Sequence, residues 1–414
     1  MAAERQLAAV TGLTERDVLA FGLALAGTFV AVAVGAAAWS LATGGSPWAA
    51  IHLALAGAAV VAIGAFMPHF AVTLAGTHRA ASNQRAVALA LLAGGASAVV
   101  VGTLAGAGWV AGPASLAVLG GLGLVATHTF APLREPLARR HPVVTLVYAM
   151  ALVELAVGVT LGGLAAAGVP AIVAAWATLR PAHAWLNLLG AVSLTIFGTL
   201  VYLAPTVLGA RIRAGAGLAV GATGMLIGPP LAVAGFAVES RPLLVAGMAL
   251  TSLGGLGQLA YLVDAYRRRG RFSSEHDWRA VSTGHLFGGA AWFLAAVVAA
   301  TAEVAIGRPI AGWSIGALAV PLIAGWMLQE LVGSWTYLVP SVSPGDAARH
   351  ALQRRILAAA ARSRAVAWNA GVALAWAGGQ LVIPWLVLPG ALLVGVAALA
   401  SVLLLGRALA TDAV

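Results

Sequence analysis

The chain has 414 residues, of which 61% are hydrophobic and 9% charged, and its formal net charge at pH 7 is +10. A soluble domain carries roughly 25% charged residues, and a chain of this length cannot bury so much apolar surface in water. The sequence therefore excludes a soluble globular protein and predicts an integral membrane protein. It contains no cysteine, which also excludes disulfides, thiolate metal sites and cysteine nucleophiles.

Apolar runs long enough to cross a membrane, about 20 residues each, follow one another along the chain. They predict an all-α protein, a single polytopic membrane domain over residues 1–414, with twelve spans at 18–43, 47–75, 86–111, 113–133, 143–168, 181–209, 216–238, 242–266, 281–306, 310–340, 365–383 and 386–408. Residues 169–182 are predicted to form either a short outer helix or an early start of the sixth span. Pro229 and Pro230 are expected to interrupt the seventh.

The basic residues indicate the orientation of these spans. If the N-terminus is cytoplasmic, the inner segments hold all of the 23 basic residues except Arg180, Arg241 and Arg308. Cytoplasmic loops of membrane proteins are enriched in arginine and lysine in this way. The pattern predicts that both termini are cytoplasmic. The protein itself is expected in the inner (cytoplasmic) membrane of a prokaryotic cell. Because the arginines lie in short loops between apolar runs, their charge does not indicate nucleic-acid binding.

An internal repeat relates the sixth and tenth spans at an offset of 135 residues. The matching pairs are Gly190/Gly325, Gly198/Gly333, Tyr202/Tyr337, Leu203/Leu338, Pro205/Pro340 and Val207/Val342, with His141/His276 ahead of the preceding spans. The second span carries a looser copy, with Gly57, Gly64 and Pro68. Since four spans separate successive copies, the sequence predicts three four-helix units, roughly 1–133, 134–266 and 267–408.

Three four-helix units with a histidine high on the second and sixth spans resemble the heme-copper oxidase catalytic subunit superfamily. Residues 51–76 and 183–212 are most similar to the membrane domain that precedes the cupredoxin domains of some actinobacterial copper nitrite reductases and multicopper oxidases. The resemblance implies a membrane partner of such a copper enzyme. The chain departs from the oxidases at residues 313–322, which contain no histidine, and at Trp185, where related short proteins have a second histidine. We therefore expect no oxygen-reducing centre.

Four histidines are candidate cofactor ligands because ionisable groups within membrane spans are costly. His52 and His183 lie near the outer ends of their spans, and His69 and His128 near the inner ends. If each pair meets, the imidazoles could hold one b-type heme near each membrane face and pass electrons from quinol to an outer acceptor. His52 and His183 are also the candidate ligands for a metal ion such as copper. The alternative is that each ring only reaches interfacial water or a loop carbonyl.

Two carboxylates lie deep within predicted spans. Glu154 lies midway through the fifth span and Glu330 in the inner half of the tenth. Each is a candidate proton or ion site, and the alternative is a neutral acid that forms a hydrogen bond to a neighbouring helix.

Three functions are compatible with these patterns. The first is an electron-transfer or anchoring partner, in the lipid bilayer, of a cupredoxin-type nitrite reductase or oxidase in denitrification. The second is a secondary transporter for copper or a small anion that uses Glu154 and Glu330, although many transporters have two inverted halves rather than three parallel repeats. The third is a cofactor-free membrane scaffold.

Overall fold

The computed structural model describes residues 13–76, 82–134, 141–270, 277–307, 310, 313, 315–343 and 345–411, and these residues form helices and connecting turns with no strand. His276 and Arg308 lie outside the described residues. Within these described ranges, eleven helices are long and apolar enough to cross a membrane: Glu15–Thr43, Trp48–Ala75, Asn83–Leu104, Gly108–Leu133, Pro142–Ala166, Trp176–Leu208, Ala216–Ala237, Arg241–Arg267, Trp278–Ala305, Gly316–Val342 and Pro384–Leu409. The prediction of an all-α, multi-pass membrane protein is confirmed at this level.

These eleven helices correspond to the first ten predicted spans and the twelfth. The predicted eleventh span, 365–383, falls on the helix Ala361–Gln380. That helix carries Arg362, Arg364 and Asn369. Its 20 residues are enough in length, but it is not among the eleven helices that are both long and apolar enough to cross a membrane. It nevertheless packs closely on the last span, because a Cβ at Gly371 would lie 2.7 Å from the carbonyl oxygen of Gly390. Its crossing of the membrane stays a prediction.

Two local expectations are resolved by the backbone. Both alternatives for residues 169–182 occur together, as a short helix Pro170–Ala174 and a sixth span that begins early, at Trp176. The expected break at Pro229 and Pro230 is wrong, because the seventh span is one continuous helix from Ala216 to Ala237. Membrane helices tolerate proline where a neighbouring helix supports the backbone. Here the eighth span packs directly against the backbone of the seventh at Gly228.

The second, sixth and tenth spans form the centre of the bundle. Between 67% and 89% of an 18-residue apolar stretch is buried in each of these three, against 44% or less in the other eight. Each also contains a π-helical segment, at Leu53–Ala59, Leu186–Val192 and Val320–Met327. π-helical turns are rare in proteins, and those that occur are often found at functional sites. The segments of the sixth and tenth spans include Gly190 and Gly325, which the predicted repeat aligns, and that of the second includes Gly57 of the looser copy.

Polar contacts join the helix ends on the predicted inner side. Glu15, in the first turn of the first span, forms a buried ion pair with Arg85 of the third. The arginine also donates to the carbonyl oxygen of Ala65 at 2.6 Å. After the tenth span, a short helix Ala347–Leu357 places Gln353 between neighbouring segments, where its amide donates to the carbonyl oxygen of Ala408 at 3.0 Å. The start of the first span and the end of the last are thereby held within the bundle.

Candidate functional site

The structure brings His52 and His183 together. His52 directly precedes the π-helical segment of the second span, and His183 lies one turn before that of the sixth. Their ring centroids are 6.4 Å apart and their planes differ by 15°. Both rings are half-buried. The two imidazoles therefore lie at a common depth on neighbouring helices.

Each of these rings is held by a backbone carbonyl through its Nδ1 atom. The Nδ1 of His52 lies 2.8 Å from the carbonyl oxygen of Trp48, and the Nδ1 of His183 lies 2.8 Å from that of Gly158. A carbonyl only accepts hydrogen bonds, so these contacts favour the tautomer with the proton on Nδ1 and a lone pair on Nε2. The amide nitrogen of Asn187 also lies 3.2 Å from the Nδ1 of His183. No hydrogen bond within the described residues uses either Nε2 atom. Histidines that bind metals are commonly oriented in this way.

Tryptophans and a glycine shape the space around the two rings. Trp48 stacks on His52 with 4.0 Å between ring centroids, and Trp176 lies 5.8 Å from His183. On the fifth span, a Cβ at Gly162 would lie 2.7 Å from Cε1 of His183. The glycine thus makes room for the imidazole of His183. Trp48 covers part of the His52 ring and Trp176 part of the His183 ring.

The spacing of the rings fits a single metal ion. Two metal–nitrogen bonds of about 2 Å, with the radii of two imidazoles, place ring centroids roughly 6 Å apart when the two nitrogens face one ion. The described residues contain no group of three or more His, Cys, Asp or Glu that could hold a metal, so such an ion would have two protein ligands. Copper accepts imidazole ligands, and its monovalent form tolerates two-coordination.

A b-type heme fits this site less well. The second and sixth spans pack directly against each other, and Trp48 covers one face of His52. A porphyrin between the two imidazoles would require the helices to separate. This geometry therefore argues against the heme that the histidine pair first indicated.

The inner histidines are not paired as expected. The Nδ1 of His69 lies 3.3 Å from Oε1 of Glu15, so its polar contact is with the Glu15–Arg85 ion pair. His128 has a buried Nε2 atom without a hydrogen-bond partner in the described part of the chain, and no ring contact joins it to His69. The expectation of a second heme between His69 and His128 receives no support from this geometry, because the buried Glu15 carboxylate attracts His69 instead.

Glu154 lies in a column of polar side chains that leads to the histidines. Three positions one turn apart on the fifth span face three on the sixth, in the pairs Glu154/Gly190, Gly158/Asn187 and Gly162/His183. Asn187 donates to the carbonyl oxygen of His183 at 2.7 Å. Both carboxylate oxygens of Glu154 are buried without a hydrogen-bond partner among the described residues. The acid is therefore close to the histidine site but separated from it by the turn that carries Asn187.

Glu330 occupies a different part of the bundle. Its side chain packs on Gly289 of the ninth span, where a Cβ would lie 2.6 Å from Oε1. It also lines a cavity between the second, sixth and tenth spans. The two candidate carboxylates are thus not brought together.

Two buried polar networks were missed from the sequence. In the first, Nδ1 of His285 lies 3.2 Å from Oε1 of Gln329, whose amide donates to Oδ1 of Asn369 at 3.2 Å. In the second, the hydroxyls of Tyr148 and Tyr202 are 2.6 Å apart. The sequence does carry a signal for both networks, because several neighbouring apolar runs each contain an amide or a phenol side chain. Such residues often form hydrogen bonds across membrane helices.

The resemblance to the heme-copper oxidase superfamily stays an expectation. The roles of the histidine pair, the polar column and the cavity follow from the chemistry of their own residues. No protein-family model and no curated protein matches the chain.

Proposed function

We propose that the chain is a heme-copper-oxidase-like membrane protein that serves as the electron-transfer or anchoring partner of a copper nitrite reductase or related oxidase. In this proposal its twelve spans form three four-helix units, both termini lie in the cytoplasm, and no oxygen-reducing centre is assembled. His52 and His183 hold a copper ion near the outer face of the membrane. The observation that supports the proposal is the pair of near-parallel imidazoles 6.4 Å apart, each anchored through Nδ1 to a carbonyl oxygen.

The residues around the pair have separate tasks in this proposal. The carbonyl oxygens of Trp48 and Gly158 fix the tautomer of each ring and keep Nε2 available. Asn187 holds the backbone of His183, and the indole of Trp48 shields His52 from water. A copper ion held by the two rings would supply one-electron chemistry within reach of a partner docked at the outer face. An outer position suits exchange with a cupredoxin-type domain in the periplasm or cell exterior.

The metal and pigment content of the purified protein tests this proposal. We expect copper-loaded protein in lipid nanodiscs to retain about one copper per chain after desalting, by elemental analysis. A second candidate, b-type heme, gives sharp visible bands on reduction with dithionite, and the optical spectrum of protein expressed with added heme precursor distinguishes it. Protein that retains neither copper nor heme would contradict the redox proposal and favour a transporter or a scaffold.

A further inference from the structure

A cavity of about 60 Å³ lies where the second, sixth and tenth spans meet. A buried water needs roughly 10–15 Å³ of such volume, so the cavity has room for about four waters or a partly hydrated ion. Each of the three spans lines it with residues one turn apart, which are Ala62 and Phe66, Thr195 and Thr199, and Glu330 and Ser334. Thr195 aligns with Glu330, and Thr199 with Ser334, at the repeat offset of 135 residues.

Two residues that line this cavity carry buried oxygen atoms without hydrogen-bond partners among the described residues. Both carboxylate oxygens of Glu330, a residue that is 2% exposed, have no hydrogen-bond partner within the described ranges. The same is true of the hydroxyl of Thr195, which is 7% exposed. The half-buried Ser334 adds another hydroxyl to the lining. Nearly all buried polar groups in proteins are hydrogen-bonded, so the unpartnered oxygens of these two lining residues point to a polar ligand in the cavity.

The chemistry of the lining selects the class of that ligand. The oxygen atoms are hard donors, which suit hard cations rather than soft transition metals. No basic residue is among the described residues that line the cavity, and most of its wall is apolar, with Met67, Met327 and Trp335 among them. An ionised carboxylate buried in apolar surroundings is costly unless it is paired. One carboxylate balances one positive charge, whereas a divalent ion would leave a buried charge uncompensated.

We propose that Glu330 and Thr195 bind a sodium ion in this central cavity. The site is separate from the histidine pair and does not depend on the proposed redox function. A second cavity shares the walls Phe66, Trp335 and Leu338 with the first and is also lined by Arg16 and Ser343, near the predicted inner surface. This second cavity marks the side from which we expect the sodium ion to enter.

Glu154 supplies a matched comparison within the same chain. It is also a buried carboxylate without a hydrogen-bond partner among the described residues. Each acid packs on a glycine, Glu154 on Gly190 and Glu330 on Gly289, but Glu154 lines neither of the two cavities. If any buried carboxylate caused the Tm to respond to sodium, substitution of either acid would change that response. Sodium binding in the cavity predicts that only substitution of Glu330 does so.

Thermal unfolding in detergent tests the site, with sodium chloride exchanged for choline chloride at constant ionic strength and pH. Saturating sodium is expected to raise the Tm of the full-length protein by roughly 3 °C, because a ligand that binds only the folded state stabilises it. Glu330→Gln removes the charge and Thr195→Val removes a donor at similar volume, so both variants should lose the sodium response. Glu154→Gln should keep it.

Several results would overturn the proposal. Equal Tm values in sodium, potassium and choline chloride would exclude the site, and so would a sodium response that persists in Glu330→Gln. A Tm that depends on pH but not on sodium would mean that Glu330 carries a proton instead. If Glu330→Gln does not fold, Thr195→Val decides, since its wild-type sodium response would contradict the assignment. None of these measurements involves copper, so the redox proposal stands or falls separately.

Discussion

Replacing His183 with alanine is expected to lower the affinity of the protein for monovalent copper by roughly 100-fold or more. Loss of an outer-shell partner alone typically costs 10–100-fold in metal affinity, and here the substitution removes one of two proposed protein ligands. His52→Ala should have a comparable effect. Competition with a chromogenic copper chelator, titrated against purified protein in nanodiscs, measures the affinity of each variant.

A matched control separates the outer pair from histidines in general. His350 lies after the tenth span, where its Nε2 is 3.2 Å from the carbonyl oxygen of Ser343. His350→Ala should therefore bind copper as the wild type does. Copper binding by His52→Ala and His183→Ala at wild-type affinity would show that the pair is not the copper site.

The largest effect on stability is expected from Arg85→Ala. Arg85 is 1% exposed and pairs with Glu15, which is 4% exposed. Removing one member of a buried ion pair leaves the other charge uncompensated and typically costs about 3–5 kcal/mol. Unfolding in mixed micelles with increasing dodecyl sulfate measures the change in the free energy of unfolding.

A double variant tests whether the lost pairing is the cause. Arg85→Met with Glu15→Gln removes both charges and keeps the volumes similar, so it should recover most of the stability lost by Arg85→Ala. Arg268 is a surface comparison, since its ion pair with Asp264 is largely exposed and such pairs contribute little. Arg85→Ala with wild-type stability, or a double variant no more stable than the single one, would contradict this account.

The sequence was sufficient for the class of fold because lipid solvation imposes a simple length rule. An apolar run of about 20 residues must form a helix that satisfies its own backbone, and the observed bounds Trp48–Ala75 and Pro384–Leu409 follow the predicted 47–75 and 386–408. The length rule could not anticipate the π-helical segments. Contacts between helices within such a segment, like that of Gly57 with the ring of Phe29, cannot be read from a single apolar run.

The sequence predicts how far along its helix each candidate residue lies, but not in which direction around the helix axis its side chain points. Position along a helix places His52 and His183 near one membrane face, and the structure does bring them together. Rotation about each helix axis decides which neighbour a side chain meets, and hydropathy does not report it. The side chain of His69 consequently contacts Glu15, in the first turn of the first span, rather than His128. The Gln329–Asn369 contact was missed for the same reason.

X-ray absorption at the copper edge of copper-loaded protein tests the central claim most directly. If His52 and His183 hold one ion between their Nε2 atoms, the spectrum of the reduced protein should show two nitrogen ligands at about 2 Å, with the outer-shell scattering typical of imidazole. That signal should be absent from protein carrying both His52→Ala and His183→Ala. A first shell of sulfur or oxygen, or an unchanged spectrum in the double variant, would contradict the account.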